Sequence, residues 1–347
     1  MDIQYNHIRK ITTEEALDLN NSILIIGPAS DNKLSGEIIG VKNIDDIFEV
    51  YGDSELSRAA QYAFNNNVSK IYLYNTYETE GYINIASKFK HYDFDYIVPI
   101  GINISDKFYN PVSKTMVSYA DFYLDNLSED AVSTIIMTDK HAELYYDLDH
   151  YMMEMEDILY ELKKNSTYKG MGDKWTNIIF VCNMLASVEY SNIVLATSLA
   201  LTSAGKYPAN ILSEAVYDYD TFDMRNKDVC YFKDNVLSND TSIENLLNMR
   251  MSNDAYKSVL VDRVIKYIKR NMDLSKYIGT KFTKNTKMHI ANDVRRFMNS
   301  IDGTMIKNYT IKSIEFVLTG PNVGNILIDT EITPRGTFEK LNVSLGV

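Results

Sequence analysis

The sequence predicts an α/β body, a mostly parallel sheet with helices on both faces, followed by a smaller C-terminal α+β domain. Between residues 22 and 240, short and nearly continuous apolar runs alternate with amphipathic stretches, which is typical of parallel strands buried on both faces. From about Thr241 the order changes to helices followed by strands of alternating polarity. The predicted parts are an extended N-terminal arm (1–21), the body (22–240), an α+β domain (241–323) and an extended C-terminal strand arm (324–347).

In the body, strands are predicted at the apolar runs and helices at the amphipathic stretches between them. The predicted strands are SILIIGPA, VSKIYLYNT, FDYIVPIGIN, VSTIIMTDK and WTNIIFVCNM. The predicted helices are NIDDIFEVYG, SELSRAAQYAFNN, EGYINIASKFKHY, KTMVSYADFYLDNL, YYDLDHYMMEMEDILYELKKN and NIVLATSLALTSAG. Ser54 is the expected N-cap of the second helix, and Gly205 is the expected end of the last.

The C-terminal region is predicted to contain two helical stretches and then strands. TSIENLLNMRMSNDAYKSVLVDRVIKYIKRNM is helical by pattern, with a stripe at four-residue spacing formed by Tyr256, Leu260, Val264 and Ile268. TKMHIANDVRRFMNSIDG is a second helix that ends before Gly303, and its expected inward residues are Ile290, Val294, Phe297 and Ile301. The strand IKNYTIKSIEFVLTGPN and a terminal strand pair follow.

Composition excludes several classes of protein. The chain has 347 residues, 45% of them hydrophobic, and its apolar runs are far shorter than the roughly 18 residues of a membrane-spanning helix. The N-terminus lacks the apolar core of a signal peptide, so we expect no membrane insertion. The two cysteines, Cys182 and Cys230, are too few for a secreted disulfide scaffold and indicate a reducing cytosol.

The charge is unevenly distributed along the chain. Of the 35 basic and 47 acidic residues, 16 basic and 10 acidic ones lie between Thr241 and Val347. That part therefore carries +6, and residues 1–240 carry −18. The basic charges lie along amphipathic helices with no arginine-rich arm, so we expect no direct nucleic-acid binding and instead a contact with an acidic protein surface. The 26 tyrosines are typical either of interfaces or of an AT-rich coding sequence.

The sequence contains no constellation that indicates catalysis, so we expect no enzyme, no metal site and no cofactor. The segment GPASDNKLSG after the first strand matches neither glycine-rich phosphate motif, and Pro28 removes an amide that a phosphate would need. None of the five histidines is part of an H-x-x-x-H pair. The predicted helix that follows His141 and contains His150 is rich in aspartate and glutamate. These carboxylates are distributed around its whole circumference, which is typical of a solvated helix.

The two chain ends look like strands whose edges need partners. The final strands alternate in polarity, and the N-terminal segment MDIQYNHIRKI looks extended. Either these ends fray or join the sheets of their own chain, or they complete a sheet in a neighbouring copy by β-augmentation. The candidate contact residues of the arms are Ile3, Tyr5, Ile8, Ile11, Ile326, Ile328, Ile332, Leu341, Val343 and Leu345.

Several short motifs, taken in order, resemble the tail sheath proteins of contractile phage tails and contractile injection systems. An apolar strand leads to a Gly-Pro-Ala, a D-x-F-x-x-Y-G helix and an A-x-x-x-F helix, a Pro-Ala-Asn follows later, and a P-x-G-x-x-E-x-L segment lies near the end. The matching positions are Gly27-Pro28-Ala29, Ile44 to Gly52, Ala60 to Asn65, Pro208-Ala209-Asn210, and Asp262 to Val347 with Pro334 to Leu341. Together they cover about half of the chain.

The resemblance implies a structural subunit that forms a helical homo-oligomer around an inner tail tube, contracts to drive the tube through the host envelope, and is linked to its neighbours by strand exchange. It implies three partners besides other copies: the inner tail tube protein, the baseplate and the tail terminator proteins. The implied location is the virion tail, assembled in the cytoplasm of a bacterial host. Two alternatives stay open, another sheath-like component such as a terminator or collar protein, and a soluble α/β nucleotide-binding enzyme.

The resemblance also implies that residues 241–323 face the tube. The tube-facing basic candidates are Arg263, Lys266, Lys269, Arg270, Arg295 and Arg296. The alternative is that these six residues are ordinary solvent-exposed positions of amphipathic helices.

Overall fold

The computed structural model of the chain contains two compact units. The first comprises Met1–Thr202 and Pro208–Ser252, and the second comprises Ser203–Tyr207 and Asn253–Val347. The residues that the structure describes are 8–10, 19–128, 131–139, 153, 157, 160–161, 174–181, 191–208, 230–235, 240–244, 246–249, 258–320, 323–335 and 341–346.

The first unit is built on a mixed sheet. Its strands are β1 (Ile8–Lys10), β2 (Ile23–Gly27), β3 (Ile38–Val41), β4 (Ile71–Asn75), β5 (Tyr96–Pro99), β6 (Lys107–Asn110), β7 (Thr115–Ser118), β8 (Thr134–Thr138), β9 (Ile178–Val181), β10 (Tyr231–Asn235) and β11 (Asp240–Glu244). The main sheet has the order β1-β3-β4-β2-β5-β8-β9, in which β4, β2, β5, β8 and β9 are parallel. The prediction of a parallel sheet is confirmed for this part, and β3 and β1 add an antiparallel edge.

Five α-helices of the first unit are described. They are α1 (Ile44–Tyr51), α2 (Glu55–Asn65), α3 (Thr79–Ala86), α4 (Tyr119–Asn126) and α5 (Ser191–Leu201). Three begin at a side chain that accepts a hydrogen bond from a backbone N–H of the first turn, as expected of N-caps: Asn43 for α1, Ser54 for α2 and Ser118 for α4. The predicted cap at Ser54 is confirmed, since its Oγ accepts from Ser57 N at 3.2 Å.

Three predicted helices differ from the structure. The first residues of KTMVSYADFYLDNL form β7, which pairs with β6 because Asn110 Oδ1 accepts from Val112 N (2.9 Å) and starts a turn. The helix expected to end at Gly205 ends at Leu201. The residues from Thr241 to Glu244, expected to begin a helix, belong instead to β11, which pairs with β10. Most of the long helix expected near Tyr151 lies outside the described residues.

Asn75 connects the loops at the carboxyl ends of β2 and β4. This side chain is fully buried, and its Oδ1 accepts from Ala29 N (3.2 Å) and Tyr77 N (2.9 Å). Its Nδ2 donates to the carbonyls of Asp31 (2.8 Å) and Lys33 (3.2 Å). One amide therefore satisfies four backbone groups and holds both loops in place.

The second unit packs two helices on a three-stranded antiparallel sheet. The helices are α6 (Val259–Asn271) and α7 (Lys284–Ile301), and the strands are β12 (Ile306–Gly320), β13 (Val323–Pro334) and β14 (Leu341–Gly346), in the order β12-β13-β14. Ile290, Val294 and Ile301 are buried as predicted. Phe297, also expected to face inward, is only partly buried and stacks on Tyr267 with 6.5 Å between the ring centroids. The next residue, Met298, is buried in the core.

We expect Asn75→Ala to destabilise the first unit by about 3 kcal/mol, because the fully buried Asn75 amide makes four hydrogen bonds and the backbone N–H groups of Ala29 and Tyr77 lose their acceptor. Urea unfolding followed by circular dichroism measures this loss. The matched control is Asn65→Ala on the exposed last residue of α2, which we expect to change stability by less than about 0.5 kcal/mol. Equal effects of the two substitutions would contradict the role of Asn75.

Candidate functional site: chain ends and basic helices

The last strand, β14, lies at the edge of the sheet in the second unit. It pairs antiparallel with β13 over six residue pairs, from Leu327↔Gly346 to Ile332↔Leu341. On β13, Ile326, Ile328 and Ile332 are buried, and Asp329 and Glu331 between them are half-buried. The alternation sets the register, because a slip by one residue would move the isoleucines to the other face.

The other edge of this sheet is irregular. Strand β12 pairs with β13 along almost its whole length, but the register shifts between Ile306 and Asn308, between Ile311 and Ser313, and between Leu318 and Gly320. Such irregularities bend a strand and interrupt its ladder of hydrogen bonds. The two outer strands of the sheet therefore differ: β14 pairs with β13 without a register shift, and β12 does not.

The N-terminal arm also provides an edge strand. Within the chain, Ile8, Arg9 and Lys10 pair antiparallel with Val41, Gly40 and Ile39 of β3. This places β1 at the end of the seven-stranded sheet. The other predicted arm residues Ile3, Tyr5 and Ile11 lie outside the described residues.

The six basic candidates are divided between the surface and the interior. Lys269, Arg295 and Arg296 are exposed, and Arg270 is half-buried. Arg263 and Lys266 are buried, with Lys266 Nζ 2.7 Å from the Asp262 carboxylate one helical turn away.

Arg263 and Lys266 were named among the tube-facing candidates, but within this chain both side chains are buried and lie outside its basic surface. A buried lysine needs an anionic partner, and Asp262 supplies one at i−4. The described part of the predicted basic surface consists of the other four residues.

The described residues also bear on the catalytic alternatives. Burial raises the pKa of Tyr82 and Tyr123, so both phenols stay neutral and are poorly suited to act as bases. Among the described residues, no group of three histidine, cysteine or acidic side chains could hold a metal ion. The described helices are all too short or too polar to cross a membrane.

Two solved sheath tail proteins superpose on this chain. A sheath tail protein from Desulfitobacterium hafniense superposes with a TM-score of 0.63 at 12% identity, covering 98% of this chain and 99% of the other. The chain has the tail sheath fold. A sheath tail protein from Listeria innocua gives a TM-score of 0.53 at 12% identity and covers 94% of each chain.

A chain of the six-fold symmetrised anti-feeding prophage baseplate also superposes on this chain. It matches with a TM-score of 0.59 at 10% identity, over 98% of this chain and 95% of the other. No protein family model and no curated protein matches the sequence. The sheath fold is therefore recognisable here from structure and from the order of short motifs.

We expect Asp262→Ala to cost about 3 kcal/mol, because it removes the carboxylate that pairs with the buried Lys266 charge at 2.7 Å. Thermal and urea unfolding measure this loss. The double variant Asp262→Ala/Lys266→Met should recover most of the lost stability, since it removes both charges and keeps the side-chain volume near that of lysine. Wild-type stability of the single variant would contradict the assignment.

Proposed function

We propose that this chain is a structural subunit of a contractile tail sheath. Copies assemble into a helical tube around an inner tail tube and contract to drive it through a host envelope. The observation that carries the proposal is the likeness to sheath proteins over 98% of the chain, which includes both units. The baseplate neighbour supports a role in an assembled tail, and the structural character of these neighbours supports a protein that is not an enzyme.

Neighbouring copies exchange terminal strands in this proposal. The β14 segment of one copy occupies the place beside β13 in the next, and β1 does the same beside β3. An identical strand brings the same hydrogen bonds and the same register as the chain's own strand, so exchange loses little free energy. Head-to-tail exchange need not close on itself, and it can therefore build an open array.

Exchanged strands suit a lattice that moves. A strand ladder between two copies can stay intact while the copies that it joins change their positions. Each backbone hydrogen bond contributes about 1 kcal/mol, and a six-residue ladder holds neighbours firmly enough to transmit force.

The second unit faces the inner tube in this proposal. The +6 charge between Thr241 and Val347 favours a partner with an acidic surface. Lys269, Arg295 and Arg296 are exposed and Arg270 is half-buried, so these four are the tube-facing candidates. Solvated ion pairs are weak and reversible, which is what a sliding contact requires. The other partners are the baseplate and the tail terminator, and the location is the virion tail, assembled in the cytoplasm of a bacterial host.

Negative-stain electron microscopy of the purified chain tests the function directly. We expect helical tubes or stacked rings, because head-to-tail contacts between copies can extend beyond a single closed ring. A single closed ring would indicate a terminator or collar protein. Uniform monomers that bind a nucleotide would contradict a structural role.

Cysteines at a register pair of β13 and β14 test strand exchange. We expect Glu331→Cys/Asn342→Cys to form covalent multimers when assembled material is oxidised, because the two positions face each other across the ladder. Non-reducing gel electrophoresis measures the products. The wild-type chain and each single variant are the controls. Cross-linked monomers alone would show that β14 stays on its own chain in the assembly.

Removing Met1–Asn20 or Thr337–Val347 should prevent polymerisation and leave a folded monomer, because the deleted strands pair at sheet edges. Sedimentation measures polymerisation, and circular dichroism measures folding. Loss of the folded monomer would instead show that these strands are essential to the chain's own core.

A further inference from the structure

The loop between α6 and α7 has a fixed shape with an apolar residue at its tip. Asp273 Oδ1 accepts from Ser275 N (2.8 Å), and Thr280 Oγ1 donates to the carbonyl of Tyr277 (2.7 Å). Gly279 has a φ of +76°, a left-handed conformation that favours glycine and completes the turn. Ile278, at the tip, is 75% exposed.

Asp293 of α7 binds two residues of this loop. Its carboxylate accepts from Tyr277 Oη and lies 2.6 Å from Lys276 Nζ. The hydrogen bond from Lys276, and next the one from Tyr277, lower the pKa of Asp293, so this carboxylate is ionised at neutral pH. The tip is therefore held in one conformation before any partner arrives, which lowers the entropy lost on binding.

Positive charge surrounds the tip. Residues 276–292 contain Lys276, Lys281, Lys284 and Lys287 and no aspartate or glutamate. The last three are exposed and form no ion pair within the described part of the chain. Met288 on the same stretch is 54% exposed. A rigid apolar tip among free cations is typical of a surface that docks on an acidic protein.

The other part of the chain carries the opposite net charge. Residues 1–240 carry −18, so in an assembly each copy presents a strongly acidic body to its neighbours at high local concentration. The charges of the lysine side chains can orient the approach of an acidic partner. Ile278, once the partner covers it, supplies the apolar contact at the centre.

We propose that Ile278, with Lys281, Lys284 and Lys287, docks on the acidic body, residues 1–240, of a second copy of this chain. The inference rests on the proposed function and adds to it a contact between copies that is separate from strand exchange. None of these four residues belongs to the terminal arms or to the basic candidates that spacing had suggested. The dock is a protein contact and involves no covalent step.

A photocrosslinker at the tip identifies the occupant. Ile278→p-benzoylphenylalanine is made in both ¹⁴N-labelled and ¹⁵N-labelled full-length chains, which are mixed, assembled and irradiated. We expect mixed-isotope cross-links from position 278 to residues 1–240, identified by mass spectrometry. Cross-links only within one chain, only to another tail protein in whole particles, or only to residues 241–347 would overturn the proposal.

Substitutions at the dock test its contribution to assembly. Ile278→Asp, or the triple change Lys281→Glu/Lys284→Glu/Lys287→Glu, should raise the critical concentration for assembly at least about tenfold, because each removes the apolar or the cationic part of the contact. Ile278→Val and the exposed Lys307→Glu are the matched controls and should assemble as the wild type does. Ile278 and the three lysines are exposed, so thermal unfolding of all variants should match the wild type.

The outcomes separate this inference from the proposed function. A wild-type chain that never assembles contradicts the proposed sheath role. A wild-type chain that assembles, together with an Ile278→Asp variant that assembles equally well, contradicts only the dock. Assembly that falls in parallel with thermal stability would show that position 278 acts through folding, which also overturns the dock.

Discussion

The satisfaction of backbone hydrogen bonds at the edges of two sheets is the constraint on which the structure depends. Strand β13 needs a neighbour on each side, and β14, the strand that follows it in the chain, fills one side. The same holds for β3, which lies between β4 and β1. A ladder of this kind depends on the sequence of the incoming strand and not on the molecule to which it belongs. The architecture can therefore serve a single chain and an array equally well.

The rest of the molecule provides rigidity between these edges. The central parallel strands are buried on both faces, and the Asn75 amide ties together the loops that follow two of them. In the second unit, Asp293 performs a similar task for the loop at Ile278. Both anchors are polar side chains that fix loops whose tips face solvent. Stiff units with strands at their ends are suited to transmitting displacement.

The sequence predicted the elements that are set by interactions between residues close together in the chain. The continuous apolar runs predicted the buried strands, and the serine before α2 predicted where that helix begins. Strands that depend on a neighbouring strand were not predicted. Ile38–Val41 is too short to stand out in the sequence, and Asp240–Glu244 is a strand that pairs with β10. At the site, Lys266 was expected on a basic, tube-facing surface. Asp262, four residues earlier, was a signal in the sequence for a buried ion pair instead. The contact of Lys276 with Asp293 joins distant positions and had no such signal.

The irregular outer edge of β12 has a consequence for growth. Three interruptions in fifteen residues make this edge a poor template, while the opposite edge of the sheet is regular. If copies add through strands, they add from one side only. A filament built this way would have a leading and a trailing end, and its start could be set by whichever structure first offers a matching strand.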